Sequence, residues 1–313
     1  MTTTTHLRLG TRGSDLALWQ AHRIADRIRT ELGLECDIEI IKTSGDRIQD
    51  VAFHKMEGKG FFTKELQDAL LDGRIDLVVH SLKDLPTDEP DGLRLAAIPE
   101  RGPTGDLLLA PANTIVTRPD DPIGLPQNAT LGTSSLRRAA QALVLRPDLR
   151  LEALRGNVPT RIRKLREGQY DAILLASAGV QRLGLDLTGL DQIELPPEAM
   201  LPAPGQGALA IETRDADPAV ELLASLHDSK AARAVNAERS LLRLLGGGCH
   251  LPLGCLATDH DGAIRLHAAL GRVDEEISHA EVARVAATAD DPETVAAACH
   301  AALRLAMPTE SGP

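Results

Sequence analysis

Short apolar runs alternate with helical patterns through about the first two-thirds of the chain. A short apolar run is typical of a buried strand, whereas apolar residues three and four positions apart favour an amphipathic helix. Leu16, Trp19 and Ile24 share one such face. We therefore expect a helix over Asp15–Glu31. The same reasoning predicts strands at Leu7–Leu9, Cys36–Ile41, Leu77–His80, Leu93–Ala97, Ala129–Leu131, Leu149–Ala153 and Ala172–Ala176, and helices at Lys64–Asp72, Arg137–Leu145, Thr160–Glu167 and Gly179–Leu183.

A faint internal duplication accompanies this alternation. The segments Leu9–Ser14 and Leu131–Ser135 both end a strand with Leu-Gly-Thr and lead into a helix. Arg74–Val79 and Gln169–Leu174 both pass through an acidic residue into an apolar strand. These pairs predict an α/β fold with two similar lobes of mixed sheets. We expect a ligand cleft between the lobes, where strand ends meet helix starts.

Two segments rich in proline and glycine, Pro99–Asp106 and Pro196–Gly207, indicate crossovers between the lobes. After the second, Ala208–Glu212 is expected to be a strand that returns to the first lobe. The later patterns predict a small C-terminal α+β domain. The expected domains are residues 1–101 with 207–218, residues 106–200, and residues 219–313. In the last part, helices are predicted at Pro218–Leu226, Lys230–Leu245 and Thr294–Ala306, and strands at Cys255–Ala257 and Ile264–Leu270.

Composition and charge narrow the class of protein. The 313 residues carry a formal net charge of -11, and only 2% are aromatic, which argues against a nucleic-acid surface or a base-stacking platform. The chain shows neither a secretory pattern at its start nor an apolar run of transmembrane length. Four widely spaced cysteines do not suggest a disulfide framework. We expect a soluble, reduced, cytoplasmic protein, with a monomer as the default state.

Positive charge is nevertheless concentrated in one region. Gly132–Arg138 and Leu154–Arg161 place small hydroxyl residues and glycines beside arginines at the ends of predicted elements. Helix-start N–H groups, hydroxyl groups and forked guanidinium groups together are suited to binding anions. This pattern predicts a local pocket for a small polyanionic ligand.

The turn after the most apolar strand carries candidate chemistry. Ser81, Lys83 and Asp84 follow Leu77–His80 and precede Pro86. Ser81 and Asp84 are also common turn-capping residue types. Catalytic groups are often placed at strand ends in α/β folds, and there Asp84 could hold an amine or stabilise a cation.

A glycine-rich loop, Gly246–His250, places Cys249 after a predicted helix. The glycines could simply end the helix, but they would also let a bulky adduct approach the thiol. A zinc site built from Cys249, His250, Cys255 and His260 is disfavoured by the five-residue gap between the cysteines. These residues by themselves predict a polyanion-binding cleft with an accessible thiol and nothing more specific. A non-enzymatic binding protein and a phosphate-ester enzyme remain open.

No Walker A motif follows the glycine pair in Gly58–Phe62, and the chain has neither a Gly-x-Gly-x-x-Gly after a strand nor a His-Glu-x-x-His. The ordered set of segments instead resembles the porphobilinogen deaminase (hydroxymethylbilane synthase) family nearly end to end. The similar segments are Thr11–Ser14, Leu16–Gln20, Gly58–Gly60 with Phe62, Lys64–Leu66, Val79–Asp84, Gly132–Arg138, Leu154–Asn157, Gly205–Gly207 and Gly247–Cys249.

The resemblance implies two lobes built like those of solute-binding proteins and a third domain that carries the cysteine loop. It implies a thioether between Cys249 and a dipyrromethane cofactor assembled from the enzyme's own substrate. Four porphobilinogen units would then be joined head to tail with loss of ammonia, and the linear tetrapyrrole would be released by hydrolysis. No metal is implied.

The resemblance also assigns roles to residues. Asp84 is similar to the catalytic aspartate, which would hydrogen-bond pyrrole N–H groups and stabilise the cation left when ammonia departs. The departures at Glu57, Gly105 and Pro204 touch neither Asp84 nor Cys249. The resemblance implies that Arg12, Ser14, Arg155 and Arg161 bind the carboxylates of the incoming monomer, with Gln20 and Arg182 as further members. It implies that Ser81, Lys83, Ser135, Arg137 and Arg138 bind the carboxylates of the cofactor.

Overall fold

The computed structural model describes residues 6–43, 63–248, 251–260 and 262–307. Internal contacts divide the chain into two compact units. The first is Met1–Gly102 with Gly207–Ala232, and the second is Pro103–Gln206 with Arg233–Pro313.

Strands and helices alternate along the described chain. The strands are β1 (His6–Thr11), β2 (Glu35–Ile40), β3 (Leu77–Ser81), β4 (Leu93–Ala97), β5 (Asp106–Pro111), β6 (Thr130–Gly132), β7 (Arg150–Glu152), β8 (Ala172–Ala176), β9 (Leu190–Leu195), β10 (Leu209–Arg214), β11 (Leu253–His260), β12 (Ala263–Val273) and β13 (Ala280–Ala289). The helices are α1 (Asp15–Arg27), α2 (Lys64–Leu71), α3 (Leu136–Leu145), α4 (Val158–Arg166), α5 (Ser177–Leu183), α6 (Ala219–Leu223), α7 (Ser229–Leu244) and α8 (Pro292–Ala306).

The two lobes contain sheets of the same topology. One five-stranded sheet has the order β2-β1-β3-β10-β4, and the other has the order β7-β6-β8-β5-β9. In each sheet the first three strands are parallel to one another. The fourth strand, β10 in one sheet and β5 in the other, pairs antiparallel with both of its neighbours. The predicted class, α/β with two mixed-sheet lobes and a small C-terminal α+β domain, is confirmed.

The core of the first lobe forms where α1 covers the sheet. Leu9 of β1, Ile24 of α1 and Leu77 of β3 are fully buried in one cluster. Burying a side chain of this size stabilises a fold by about 1.5–3 kcal/mol. The regular helix ends at Arg27, earlier than predicted, because a π-helical turn over Ile28–Leu32 leads into Gly33 at φ 67°.

The C-terminal part forms an antiparallel sheet, β11-β12-β13, covered by α8. Val295, Cys299 and Leu303 on α8 are fully buried in its core. The sequence patterns did not predict β5, β9 or β13. Strand β13 is rich in alanine, which has a weak strand preference, so its pairing with β12 depends on tertiary packing. No helix in the described ranges combines the length and apolar character needed to cross a lipid bilayer.

Candidate functional site

The first lobe gathers its candidate residues at one edge of its sheet. Arg12 directly follows β1, and Ser14 precedes α1 as its N-cap residue. Strand β3 ends at Ser81, and a 3-10 turn, Leu82–Asp84, carries Lys83 and Asp84. Strands β1 and β3 pair in parallel, so their carboxyl ends meet at the same edge. Two elements distant in sequence therefore bring these candidates together.

The structure joins Gln20 to Ser81. Gln20 lies on α1 with 3% of its surface exposed, and its Nε2 donates to the Ser81 Oγ at 2.8 Å. A serine hydroxyl that accepts one bond can still donate another. This places Gln20 as a support for Ser81, whereas the resemblance assigned it to the substrate. The substrate role of Gln20 stays a prediction.

Asp84 is exposed, while Leu82 in the same short turn is fully buried. The Leu82 N–H donates to the Ala208 carbonyl at 3.0 Å, which fixes the turn beside the returning strand. A solvent-facing carboxylate on a fixed turn is placed to meet a ligand. Lys83 is half-buried next to it.

Behind this turn lies a buried polar group that sequence patterns did not reveal. Glu212 of β10 is 4% exposed and His80 is 6% exposed. The two Glu212 carboxylate oxygens are 3.0 Å from His80 Nε2 and 2.9 Å from Gln67 Nε2. These contacts join β10, β3 and α2 just before Ser81. The signal was a histidine and a glutamate inside otherwise apolar strands, but their pairing requires the sheet register.

The second lobe repeats the arrangement. Ser135, Arg137 and Arg138 follow β6 at the start of α3. Arg155 and Arg161 follow β7, and Arg182 lies on α5 after β8. Strand β6 is parallel to both β7 and β8, so all these residues follow the carboxyl ends of adjacent strands.

Two helix starts in this lobe are well defined. Ser135 caps α3, its Oγ accepting from the Arg138 N–H at 3.5 Å, and Asn157 caps α4, its Oδ1 accepting from the Thr160 N–H at 3.0 Å. Arg161 Nε donates to the Gly156 carbonyl at 2.7 Å. Gly156 has φ 108°, and a Cβ there would lie 2.7 Å from a Thr160 carbon, so only glycine fits. Arg161 is therefore held against a loop of fixed shape.

Arg137 and Arg138 are buried around a residue that sequence analysis missed as a site member. Arg137 Nη1 lies 2.5 Å from Asp106 Oδ2, and Arg138 Nη2 lies 2.7 Å from Asp106 Oδ1. Burial alone would raise the pKa of Asp106, but the two arginine charges outweigh it and hold this pKa well below its usual range. The local signal was an aspartate at the start of an apolar run, Leu107–Ala110.

The candidate anchor, Cys249, lies outside the described residues, as do His250, Glu57 and the Gly58–Phe62 segment. Cys36, Cys255 and Cys299 are all buried. Burial raises the pKa of the Cys36 and Cys299 thiols to about 11, so both are protonated at neutral pH. Across the described ranges, no group of histidine, cysteine and acidic side chains is arranged to hold a metal ion.

Comparison with known proteins gives consistent matches along the chain. Residues 7–222 match the family model "Porphobilinogen deaminase, dipyromethane cofactor binding domain", and residues 232–304 match "Porphobilinogen deaminase, C-terminal domain". A porphobilinogen deaminase of Syntrophomonas wolfei is 46% identical over 271 residues, which is 86% of each chain. One from Brevibacillus brevis is 44% identical over 289 residues, or 91% of this chain and 89% of the relative.

Solved structures give weaker similarities. The substrate binding protein of an amino acid ABC transporter is 13% identical with a TM-score of 0.39, covering 77% of this chain and 94% of that chain. A sulfate-bound mutant of the OxyR2 regulatory domain from Vibrio vulnificus is 14% identical with a TM-score of 0.45, covering 72% of this chain and 95% of that chain. The family models and the relatives, which span most of the sequence, establish that the chain belongs to the porphobilinogen deaminase family.

Proposed function

We propose that the chain joins four porphobilinogen molecules head to tail, with loss of ammonia, into the linear tetrapyrrole hydroxymethylbilane. The reaction is primed by a dipyrromethane cofactor bound covalently to Cys249. The observation that carries this proposal is the match of residues 7–222 to the cofactor-binding model of the family. The residues assigned to the carboxylates, and Asp84, fall within that range, and Cys249 falls within residues 232–304, which match the C-terminal model.

The residues of the second lobe fit a ligand that carries several carboxylates. Arg137 and Arg138 share one acidic partner, so the pair keeps a net positive charge. Arg137 Nε is buried without a hydrogen-bond partner among the described residues. Unsatisfied buried donors of this kind favour an anion nearby. We assign the cofactor's carboxylates to these two arginines and Ser135, together with Ser81 and Lys83 of the first lobe.

The substrate's acetate and propionate groups are assigned to Arg12, Ser14, Arg155 and Arg161, with Gln20 and Arg182 as further members. Each pair of carboxylates needs several charge-assisted bonds, worth about 1.5–3 kcal/mol each. Arginine provides them through a planar fork that matches a carboxylate. The number of arginines after β1, β6, β7 and β8 is explained by this demand.

Asp84 is assigned the catalytic role. When bound, the cofactor supplies the primer to which the first substrate unit is joined. The Asp84 carboxylate stabilises the positive charge that develops as the substrate's amine departs, and it accepts hydrogen bonds from pyrrole N–H groups. Its turn is fixed by the buried Leu82, so the carboxylate needs little reorganisation during the reaction.

We further propose three domains, residues 1–101 with 207–218, residues 106–200 and residues 219–313. The separate family model over 232–304 and the separate C-terminal sheet support a distinct third domain. We also propose a cytoplasmic monomer that does not bind nucleic acid. The net charge of -11 supports the last point, since nucleic acid attracts basic surfaces.

The mass of the denatured chain tests the cofactor assignment. Protein purified from cells that make porphobilinogen should show an excess equal to one dipyrromethane, and Cys249→Ser should show the bare polypeptide mass. Cys36→Ala is the matched control, because it removes a buried thiol of high pKa and should keep the adduct. A bare wild-type chain would favour the non-enzymatic binding protein, and an adduct on Cys249→Ser would identify another anchor.

Activity of Asp84→Asn tests the catalytic assignment. The amide keeps the shape but loses the charge, so we expect a folded chain that carries the adduct and has lost turnover. Asp88→Asn is the control, since Asp88 is also exposed and lies in the same connection after β3. Normal steady-state activity of Asp84→Asn would remove Asp84 from this role.

A further inference from the structure

Asp106 begins β5 and is completely buried, with 0% of its surface exposed. Four hydrogen bonds reach it from two arginines. Besides the two ion-pair contacts described above, Arg137 Nη2 lies 3.3 Å and Arg138 Nε lies 3.1 Å from Asp106 Oδ1. One carboxylate thus organises both guanidinium groups at the start of α3.

The charges in this cluster do not balance. Two guanidinium groups and one carboxylate leave a net charge of +1, although the Arg137 and Arg138 side chains expose only 5% and 8% of their surface. A purely structural pair would need one arginine for one carboxylate. Unbalanced charge at this depth is costly unless an anion lies beside it. The cluster is therefore suited to an anionic ligand.

Asp106 also decides how the arginines are oriented. Arg137 Nη1 also donates to the Leu201 carbonyl at 2.8 Å, and Arg138 Nη1 donates to the Leu174 carbonyl at 2.9 Å. A guanidinium group is planar, so two acceptors on different sides fix its plane. The backbone carbonyls provide one side of each plane, and Asp106 provides the other.

The second crossover segment holds Asp106 in turn. Gln206 Nε2 lies 3.0 Å from Asp106 Oδ1 and 2.7 Å from the Thr104 carbonyl. The amide thereby binds the residues on which β5 begins. With Gln206 on one side and the arginines on the other, the carboxylate has little freedom to rotate.

We infer that Asp106 is a positioning residue, which holds Arg137 and Arg138 in the orientation that binds the carboxylates of the dipyrromethane. This inference rests on the proposed function. Removal of the Asp106 charge would leave two adjacent buried cations that repel each other. The guanidinium groups would then turn away from the bound orientation, although both arginines remain in the chain.

The rate of cofactor loading tests the inference. Chain produced in cells that cannot make porphobilinogen is incubated with porphobilinogen, and the adduct on the denatured protein is followed by mass. Asp106→Asn should load at least about tenfold more slowly than wild type, as expected for a loss of one charge-assisted contact. The control, Asp148→Asn, weakens an arginine pair with Arg146 in the same unit and should load within about twofold of wild type.

A charge-balanced variant separates positioning from folding. Asp106→Asn combined with Arg138→Gln keeps the net charge of +1, so it avoids the repulsion that could prevent Asp106→Asn from folding. If Asp106 positions both arginines, the double variant, in which Arg137 has lost its carboxylate partner, should load more slowly than Arg138→Gln alone. Circular dichroism checks that each variant is folded.

Each outcome has one meaning. Loading of folded Asp106→Asn at the wild-type rate overturns the inference while leaving the proposed function intact. A double variant that loads as fast as Arg138→Gln alone also overturns it, because Asp106 would then not hold Arg137 in the binding orientation. A wild-type chain that gains no mass overturns the proposed function, and the inference with it.

Discussion

The side chain of Gln141 connects α3 to the C-terminal sheet and to the second crossover segment. Its Oε1 accepts from the Leu201 N–H at 2.9 Å and from Arg284 Nη2 at 3.0 Å, and its Nε2 donates to the Leu201 carbonyl at 3.0 Å. Gln141 is only 2% exposed, so these bonds are shielded from water. We predict that Gln141→Leu destabilises the chain, although leucine has a similar volume.

The contacts set the expected size of the effect. The buried Leu201 N–H loses its acceptor, at a cost of about 1–3 kcal/mol, and the bond from the charged Arg284 adds about 1.5–3 kcal/mol. Arg284 keeps the Ala199 carbonyl, and the Leu201 carbonyl keeps Arg137, so neither group is left without a partner. Burial of leucine offsets about 1 kcal/mol. We expect a net loss of about 2–5 kcal/mol in the free energy of unfolding.

Urea unfolding, followed by circular dichroism, measures this loss. With an m-value of about 3 kcal/mol/M, the midpoint should fall by about 0.7–1.7 M urea. The matched control is Gln181→Leu, which replaces an exposed glutamine on α5. The control should change stability by less than about 0.5 kcal/mol.

A double-mutant cycle with Arg284→Met isolates the contact between the two side chains. Because Arg284 and Gln141 are in direct contact, their effects should be non-additive by about 1–3 kcal/mol. An unchanged midpoint for Gln141→Leu would refute the assignment of these bonds as stabilising. Strict additivity in the cycle would refute the contribution of the Arg284 contact.

Three further predictions concern buried groups. Gly254→Ala should lose about 1–3 kcal/mol in the free energy of unfolding measured with urea, because the added Cβ would lie 2.7 Å from the Leu201 carbonyl oxygen. The control is Gly248→Ala, whose Cβ would meet no atom within 4 Å. Equal stability of the two variants would contradict the steric argument. Glu212→Gln should lower the melting temperature by an amount corresponding to about 1–3 kcal/mol, since the amide oxygen can replace only one of the two carboxylate oxygens that contact Gln67 and His80. An unchanged melting temperature would show that these two contacts do not stabilise the fold. The lowered pKa of Asp106 stabilises the fold at pH values above the unfolded carboxyl pKa of about 4, and this contribution is lost as the pH falls below that value toward the folded pKa. Wild type should therefore lose more stability than Asp106→Asn between about pH 5 and pH 2. Parallel curves of unfolding free energy against pH for the two proteins would contradict the linkage.

Much of the fold follows from local patterns. A short apolar run such as Leu77–His80 favours a buried strand, and the apolar stripe containing Ile24 favours a helix with one buried face. The repeated Leu-Gly-Thr ends of β1 and β6 indicated two similar lobes, because the same local sequence meets the same steric demands. The motif around Asp84 and the arginine pair was visible for the same reason.

Other features needed the tertiary structure. In the sequence Asp106 is only the last residue of a predicted crossover, and folding brings Arg137 and Arg138, more than 30 positions later, against its carboxylate. The pairing of Glu212 with His80 likewise depends on the register between β10 and β3. Hydrophobic periodicity and turn chemistry act over a few residues, so the sequence by itself determined most of the elements, the two-lobed class and the family, but not β5, β9 or β13. Buried ion pairs depend on which elements become neighbours in space, and only the tertiary structure decides that.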